Sequence, residues 1–225
     1  MRSGKSSIID SFQIQEFFLD SVDNVALESK KVLSLSEFLQ TLAMALAAKN
    51  IETWEHSVLV TTYAVMLGIQ LGLSQEEIEQ LRIGALLHDI GKIGIRDDIL
   101  LKPWALTADE YVRIEKHPEI GARILEPSRA LHSIIPIALH HHEHYNGKGY
   151  PQGLRGEKIP LAARIVSLAD AFEAMTSGRL YRRAMTLEVA LEEIQLQSGR
   201  QFDPYLGQTF VEMIKQEVSL KLGDK

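Results

Sequence analysis

The chain contains no cysteine. That absence excludes disulfides, thiolate zinc sites and cysteine nucleophiles together, so any metal has to be held by His, Asp and Glu. Positive charge is scarce as well: 24 Lys and Arg stand against 30 Asp and Glu, a net charge of -6. This argues against a nucleic-acid polymer as partner, while leaving room for a small anion in a local cationic pocket. No run of eighteen apolar residues exists, and Met1–Asp10 lacks a signal-peptide pattern. The expectation is a cytoplasmic chain with no membrane segment. Few segments alternate apolar and polar residues between turns, which leaves little room for strands.

What is present reads as helix. Hydrophobic residues at 45% and charged residues at 24% of a 225-residue chain suit one soluble domain, or one domain with an appended helix. Ile8 to about Lys31 carries Ile9, Phe12, Leu19, Val22 and Ala26 at roughly helical spacing. Two readings stay open for it: a helix packed on the domain, or a signalling or dimerising helix from an upstream sensor, with a homodimer through it. The expected boundaries are 1–34 for this helix or linker and 35–225 for the domain.

Capping boxes at Ser34/Glu37, Ser74/Glu77 and Thr107/Glu110 open helices expected over Leu35–Lys49, to Ile90, and to about Lys116. Another helix is expected over Glu52–Leu71. Gly72 and Gly91 read as stops, and Pro118 as the start of a further turn. Pro136 and Pro160 stand at first turns of helices expected to end near His144 and Ser177. Thr186–Gln197 and a last helix from Asp203-Pro204 complete an all-α chain.

Four of the eight histidines fall within five positions, at His140, His141, His142 and His144. A core gains nothing from several imidazoles in a row, so a metal site opening onto the loop Gly147-Lys148-Gly149-Tyr150-Pro151 is the reading to test. Glu52 and His56, four apart, share a helix face and can reach one ion, although most such pairs are surface pairs. His88-Asp89 follows Ala85-Leu86-Leu87, at the buried end of an apolar helix. There an ionised aspartate needs a cation or a hydrogen-bonded histidine to offset its burial. Asp170, within Ile165-Val166-Ser167-Leu168-Ala169-Asp170-Ala171, is open to both readings, and His117 alone reads as a helix-end histidine.

Taken together these positions resemble one family. His88-Asp89 within Leu-Leu-His-Asp-Ile-Gly-Lys-Ile-Gly-Ile is similar to the signature of the HD metal-dependent phosphohydrolases. His141-His142-Glu143 followed by Gly147-Lys148-Gly149-Tyr150-Pro151 narrows the resemblance to the HD-GYP group, over about Glu37 to Phe210. It implies an all-α HD-domain helical bundle, with the N-terminal helix as an addition, that hydrolyses cyclic di-GMP to pGpG and often GMP on two or three iron or manganese ions. One metal would be held by His56, His88, Asp89 and Asp170, with Asp89 bridging to a second on His117 and His141. Glu52 and His142 would add a third. Such a cluster is net positive, attracts a phosphodiester and lowers the pKa of a bridging water, so that hydroxide is supplied at neutral pH. Asp89 and Lys92 are the implied catalytic pair. Lys92, Tyr150, Arg179 and Arg182 are the implied substrate contacts, the arginines through their planar fork of donors.

The chain departs from the family pattern at Arg96, Trp104, Asn146, Glu173 and Leu180, and at Val58-Leu59. These departures are expected around the substrate mouth, where they bear on substrate choice more than on metal binding. They motivate an alternative function, a catalytically weak or inactive domain that binds cyclic di-GMP or a protein partner. His132, His140 and His144 match no ligand role. His132 is expected at the surface, and His140 in packing or beside the ligands.

Overall fold

The computed structural model describes residues 39, 41, 42, 44–49, 51–177 and 184–223, with the side chains of 51–53 and 221–223 left aside. The expected helix over Ile8–Lys31, the Ser34/Glu37 capping box, Leu180, Arg179, Arg182 and the side chain of Glu52 lie outside the described residues. Residues 39, 41, 42 and 44–49 are helical, and Leu46 on that stretch is fully buried.

Helix α1, Ile51–Gln70, is the axis of the bundle. Its Val60, Ala64 and Leu67 recur at the spacing of one helical face and are all buried. Helix α2, Gln75–Leu87, packs along it and opens with the Ser74/Glu77 capping box. After α2, a 3-10 turn over Ile90–Gly94 leads to the single turn α3, Asp97–Leu100. Helix α4, Ala108–Ile114, opens with the Thr107/Glu110 box. Helix α5, His117–Leu125, packs on the Ile90–Gly94 turn and on α6, Ile135–His140. Helix α7, Leu161–Thr176, lies against α1 and buries Ile165, Val166, Leu168, Ala169 and Phe172. Helices α8, Leu187–Gln197, and α9, Pro204–Gly223, close the bundle.

Tyr63, Phe172 and Phe210 tie α1, α7 and α9 together. Their rings meet edge to face, with centroids 5.0 Å apart for Tyr63–Phe172 and 5.0 Å for Phe172–Phe210. In that arrangement the positive ring edge faces a negative ring face, adding to the area each ring buries. Among the described residues there is no strand, and the all-α expectation holds. Likewise, no described helix is long and apolar enough to cross a membrane.

Two helices end earlier than their patterns suggest. Helix α2 stops at Leu87 rather than Ile90, and α6 at His140 rather than His144. In both cases a histidine just past the end turns its ring back onto a carbonyl of the last turn, as detailed below. One close approach then fixes where the chain leaving α2 meets α5. A Cβ on Gly91 would lie 1.9 Å from the carbonyl oxygen of His117 and 2.6 Å from the amide nitrogen of Gly121. Only glycine lets the Ile90–Gly94 turn touch the start of α5. Gly91→Ala is therefore expected to cost about 1–3 kcal/mol, read as a lower midpoint in urea denaturation. A loss below about 0.5 kcal/mol, the range of ordinary surface changes, would show that the contact yields.

Candidate metal centre

Three buried imidazoles are aimed by helix ends. The last four carbonyls of any α-helix have no partner within it. Here Ala85 of α2 accepts from His88 Nδ1 at 2.6 Å, Ile114 of α4 from His117 Nδ1 at 2.8 Å, and Ala138 of α6 from His141 Nδ1 at 2.9 Å. A carbonyl can only accept, so each Nδ1 carries a proton, and the tautomer this selects presents its lone pair at Nε2.

Those lone pairs converge on Asp89, which is 2% exposed. Its Oδ2 lies 3.4 Å from His88 Nε2, and its Oδ1 lies 3.2 Å from His117 Nε2 and 3.9 Å from His141 Nε2. The Nε2 atoms of His117 and His141 face each other at 3.2 Å. Lone pairs directed at one another and at a carboxylate repel unless a cation lies among them. His88 Nε2 and Asp89 Oδ1 are moreover buried without a hydrogen-bond partner, a costly state for polar atoms in an interior. An oxygen and nitrogen donor set of this kind suits a borderline divalent ion.

The possible ligands fall into two groups whose donor atoms lie within 4.8 Å of one another: Asp89, His117, His141 and His142, and His56, His88 and Asp170. The close approach of His88 to Asp89 joins them. Seven of the eight expected metal ligands are thus brought together, the eighth being Glu52. His142 was expected with Glu52 at a third ion; its donor atom groups with Asp89, His117 and His141.

His56 is held differently. Its Nε2 lies 3.0 Å from Asp170 Oδ1, and its Nδ1 bonds to Glu173 Oε2. Glu173 was expected among the departures at the substrate mouth, but it is 4% exposed and sits beside His56. The reason is helical spacing: it stands three positions after Asp170 on α7, on the same face.

Charge follows this geometry. Burial alone would raise the Asp89 carboxyl, but the Lys92 ammonium, which contacts Oδ2, leads the groups that outweigh it and hold it well below the carboxylate range. Burial likewise opposes ionisation of Asp170, and His56 outweighs it. Burial disfavours a charged His56, yet its bonds to Asp170 and Glu173 push it up to about 9. His141 and His142 are pushed down by burial, His142 to about 3.

The mouth is built on the turn after α6. The Tyr150 ring stacks on His142 with centroids 4.8 Å apart, and its amide donates to the His142 carbonyl at 3.2 Å. Burial raises the Tyr150 phenol, which keeps it neutral. Gly149 is required here because a Cβ would lie 2.3 Å from the His144 amide nitrogen and 2.4 Å from the His142 oxygen. Glu143, buried, accepts from the amides of Gln152 at 2.7 Å and Leu154 at 3.0 Å and so pins the loop. Lys92 reaches from Asp89 toward solvent, its side chain 21% exposed. Arg96 pairs with Asp98 at the surface and Trp104 is 68% exposed. His132 is exposed and His140 buried, as expected.

Residues 40–206 match the HD domain family, and the chain belongs to that family. It is 42% identical over 189 residues to the cyclic di-GMP phosphodiesterase response regulator RpfG of Xanthomonas campestris, covering 80% of this chain and 50% of that protein. It is 39% identical over 184 residues to a cyclic di-GMP phosphodiesterase of Thermotoga maritima, covering 81% of this chain and 50% of the relative. The chain thus spans about half the length of these curated relatives. Among solved structures, a cyclic GMP-AMP specific phosphodiesterase of Vibrio cholerae superposes with a TM-score of 0.60 at 26% identity, over 82% of this chain and 50% of that one.

Two carboxylates were not singled out from sequence as parts of the site, Glu143 and Glu173. For Glu173 a signal existed, its i+3 spacing from Asp170. For Glu143 it was the position of a carboxylate directly after two ligand-type histidines.

The pKa shifts give the metal-free chain a pH signature. His141 and His142 have depressed values, so their contribution is present above the unfolded value of 6.5 and is lost as pH falls toward about 3. His56 has a raised value, so its contribution is full below 6.5 and is lost as pH rises through about 9. Stability of the chelator-treated chain should therefore peak near pH 6.5 and decline on both sides. Urea midpoints between pH 5 and 10 (roughly the span of these shifts) measure it, and His56→Gln should flatten the alkaline limb. A wild-type midpoint that does not fall on the alkaline side would contradict the arrangement around His56.

Proposed function

We propose that the chain is a metal-dependent phosphodiesterase that hydrolyses cyclic di-GMP to pGpG and/or GMP. The observation that supports this best is the convergence of the Nε2 atoms of His88, His117 and His141 on Asp89 Oδ1 and Oδ2, with His88 Nε2 and Asp89 Oδ1 buried and unpartnered. In this reading one ion would be held by His56, His88, Asp89 and Asp170, and a second by Asp89, His117 and His141. Glu52 and His142 contribute to a third. Divalent iron or manganese, when bound, would supply Lewis acidity toward a phosphoryl oxygen and lower the pKa of a bound water.

The chain's own residues do the rest. Asp89 keeps its charge because its neighbours favour the carboxylate, and so can hold two ions at once. Lys92, anchored on Asp89 and open to solvent, places an ammonium where the scissile phosphate meets the centre. Tyr150, fixed on His142, offers an aromatic face to a purine. Arg179 and Arg182 are assigned to the ligand phosphates on sequence resemblance. The relatives' names divide between cyclic di-GMP and cyclic GMP-AMP, so discrimination at one base is part of the question. On sequence alone, the catalytic unit is assigned to 35–225 and the cytoplasm, with 1–34 as the connection to a sensor or a dimer helix.

The test is anaerobic metal analysis and turnover of cyclic di-GMP and cyclic GMP-AMP on one purified sample. The expected result is two or three ions per chain, as a multi-metal phosphodiesterase requires, with cyclic di-GMP cleaved faster. Asp89→Ala, if folded, should lower turnover by more than about a hundredfold, beyond the range for residues that only support ligands. A filled centre that binds the nucleotide without cleaving it would establish the signalling-module alternative instead. A chain that takes up no metal would overturn both.

A further inference from the structure

Of the seven site histidines and aspartates, His56 alone lies on α1, and its setting differs from that of the other rings. It lies within the 20-residue helix Ile51–Gln70, well before its last turn. Carbonyls in a helix interior accept from the helix's own amides and are not free to orient a ring. His88, His117 and His141 each use a carbonyl from the end of a helix. His56 uses the carboxylate of Glu173 from across the bundle, 117 residues away in sequence. Asp170 and Glu173, one turn apart on α7, thereby hold the two nitrogens of one imidazole. Glu173 is buried, so its charge acts on His56 through an interior that screens it weakly.

We infer that Glu173 is the positioning residue of this centre: by accepting the Nδ1 proton it fixes Nε2 of His56 as the ligating atom and strengthens it as a donor, so that the ion on His56, His88 and Asp170 is held more tightly than the one on Asp89, His117 and His141. The inference rests on the metal-centre reading above. A carboxylate behind a ligating imidazole raises its donor strength more than a neutral carbonyl does, and loss of such a partner weakens metal binding about 10–100-fold.

The experiment is a stepwise metal titration of the metal-free chain against a chelating indicator, under anaerobic conditions, with manganese and with zinc. Wild type is expected to show a tight step and a weaker one. Glu173→Gln, which keeps the shape and the acceptor oxygen but removes the charge, should weaken the tight step about 10–100-fold and leave the other within about twofold. Glu173→Asp, which keeps the charge, should recover part of the loss. In a His56→Ala background, Glu173→Gln should change nothing further. A folded Glu173→Gln chain with both steps unchanged, or with both weakened equally, overturns the inference. If that variant does not fold, nitrogen-proton spectra of the zinc-loaded wild type decide: a proton on His56 Nδ1 with zinc on Nε2 is expected, and zinc on Nδ1 overturns it. A wild type that binds no ion overturns the metal-centre reading itself, and is distinguishable from every other outcome because no step appears at all.

Discussion

A carboxylate with 2% of its surface exposed, ringed by imidazole nitrogens, is the constraint on which this structure depends. Asp89 cannot remain ionised in an interior without positive charge close by, and the Lys92 ammonium supplies only part of what its two oxygens require. Three histidines aimed at it have their Nδ1 protons engaged by backbone carbonyls and turn Nε2 toward it. A cation resolves the two problems together, as it takes the ring lone pairs and the carboxylate oxygens in one step. The surrounding fold can be understood as the means of delivering these groups to one point.

Helix ends deliver them. Ordinarily the unpaired carbonyls of a last turn are met by water or by a glycine cap. Here α2, α4 and α6 direct theirs inward, and ligand-type histidines satisfy them. The same bond that completes the helix therefore orients the ring. The C-terminal ends also carry the negative pole of the helix, which favours a cation nearby. Gly91 is what allows two of these ends to meet, because any side chain there would strike the His117 carbonyl. His56 arrives by another route, from a helix interior, and needs a carboxylate for the task a carbonyl performs elsewhere.

Much of this was legible in the residues. The boxes at Ser74 and Thr107 and the cap at Thr186 open helices where the spacing predicts them. His88-Asp89 after an apolar run marks a buried polar pair that requires a partner. The helix ends were less legible, since apolar spacing continues through Ile90 while the backbone does not: Asp89 adopts φ -96° and ψ 9° and the chain tightens into a 3-10 turn. Periodicity reports which residues share a face, but not which distant helix that face meets. Glu173 therefore read as a departure near the mouth, although its carboxylate meets the His56 ring across the bundle. Glu143 belonged to a recognisable motif, but its acceptors' role, pinning Gln152 and Leu154, depends on how the loop returns.

The two layers of the site are joined by one turn. His141 and His142 face the centre, while Glu143, next in sequence, clamps the loop that carries Tyr150, and Tyr150 stacks back on His142. A shift in the metal ligands must then move the aromatic face of the mouth, and strain in the loop must reach the ligands. The departures at Arg96 and Trp104 stand outside this coupling: one is paired at the surface and the other is exposed. Exposed substitutions of that kind disturb stability little, so the outer mouth is free to vary in what it recognises. Glu173 has no such freedom, because its carboxylate is buried against a ring the centre needs.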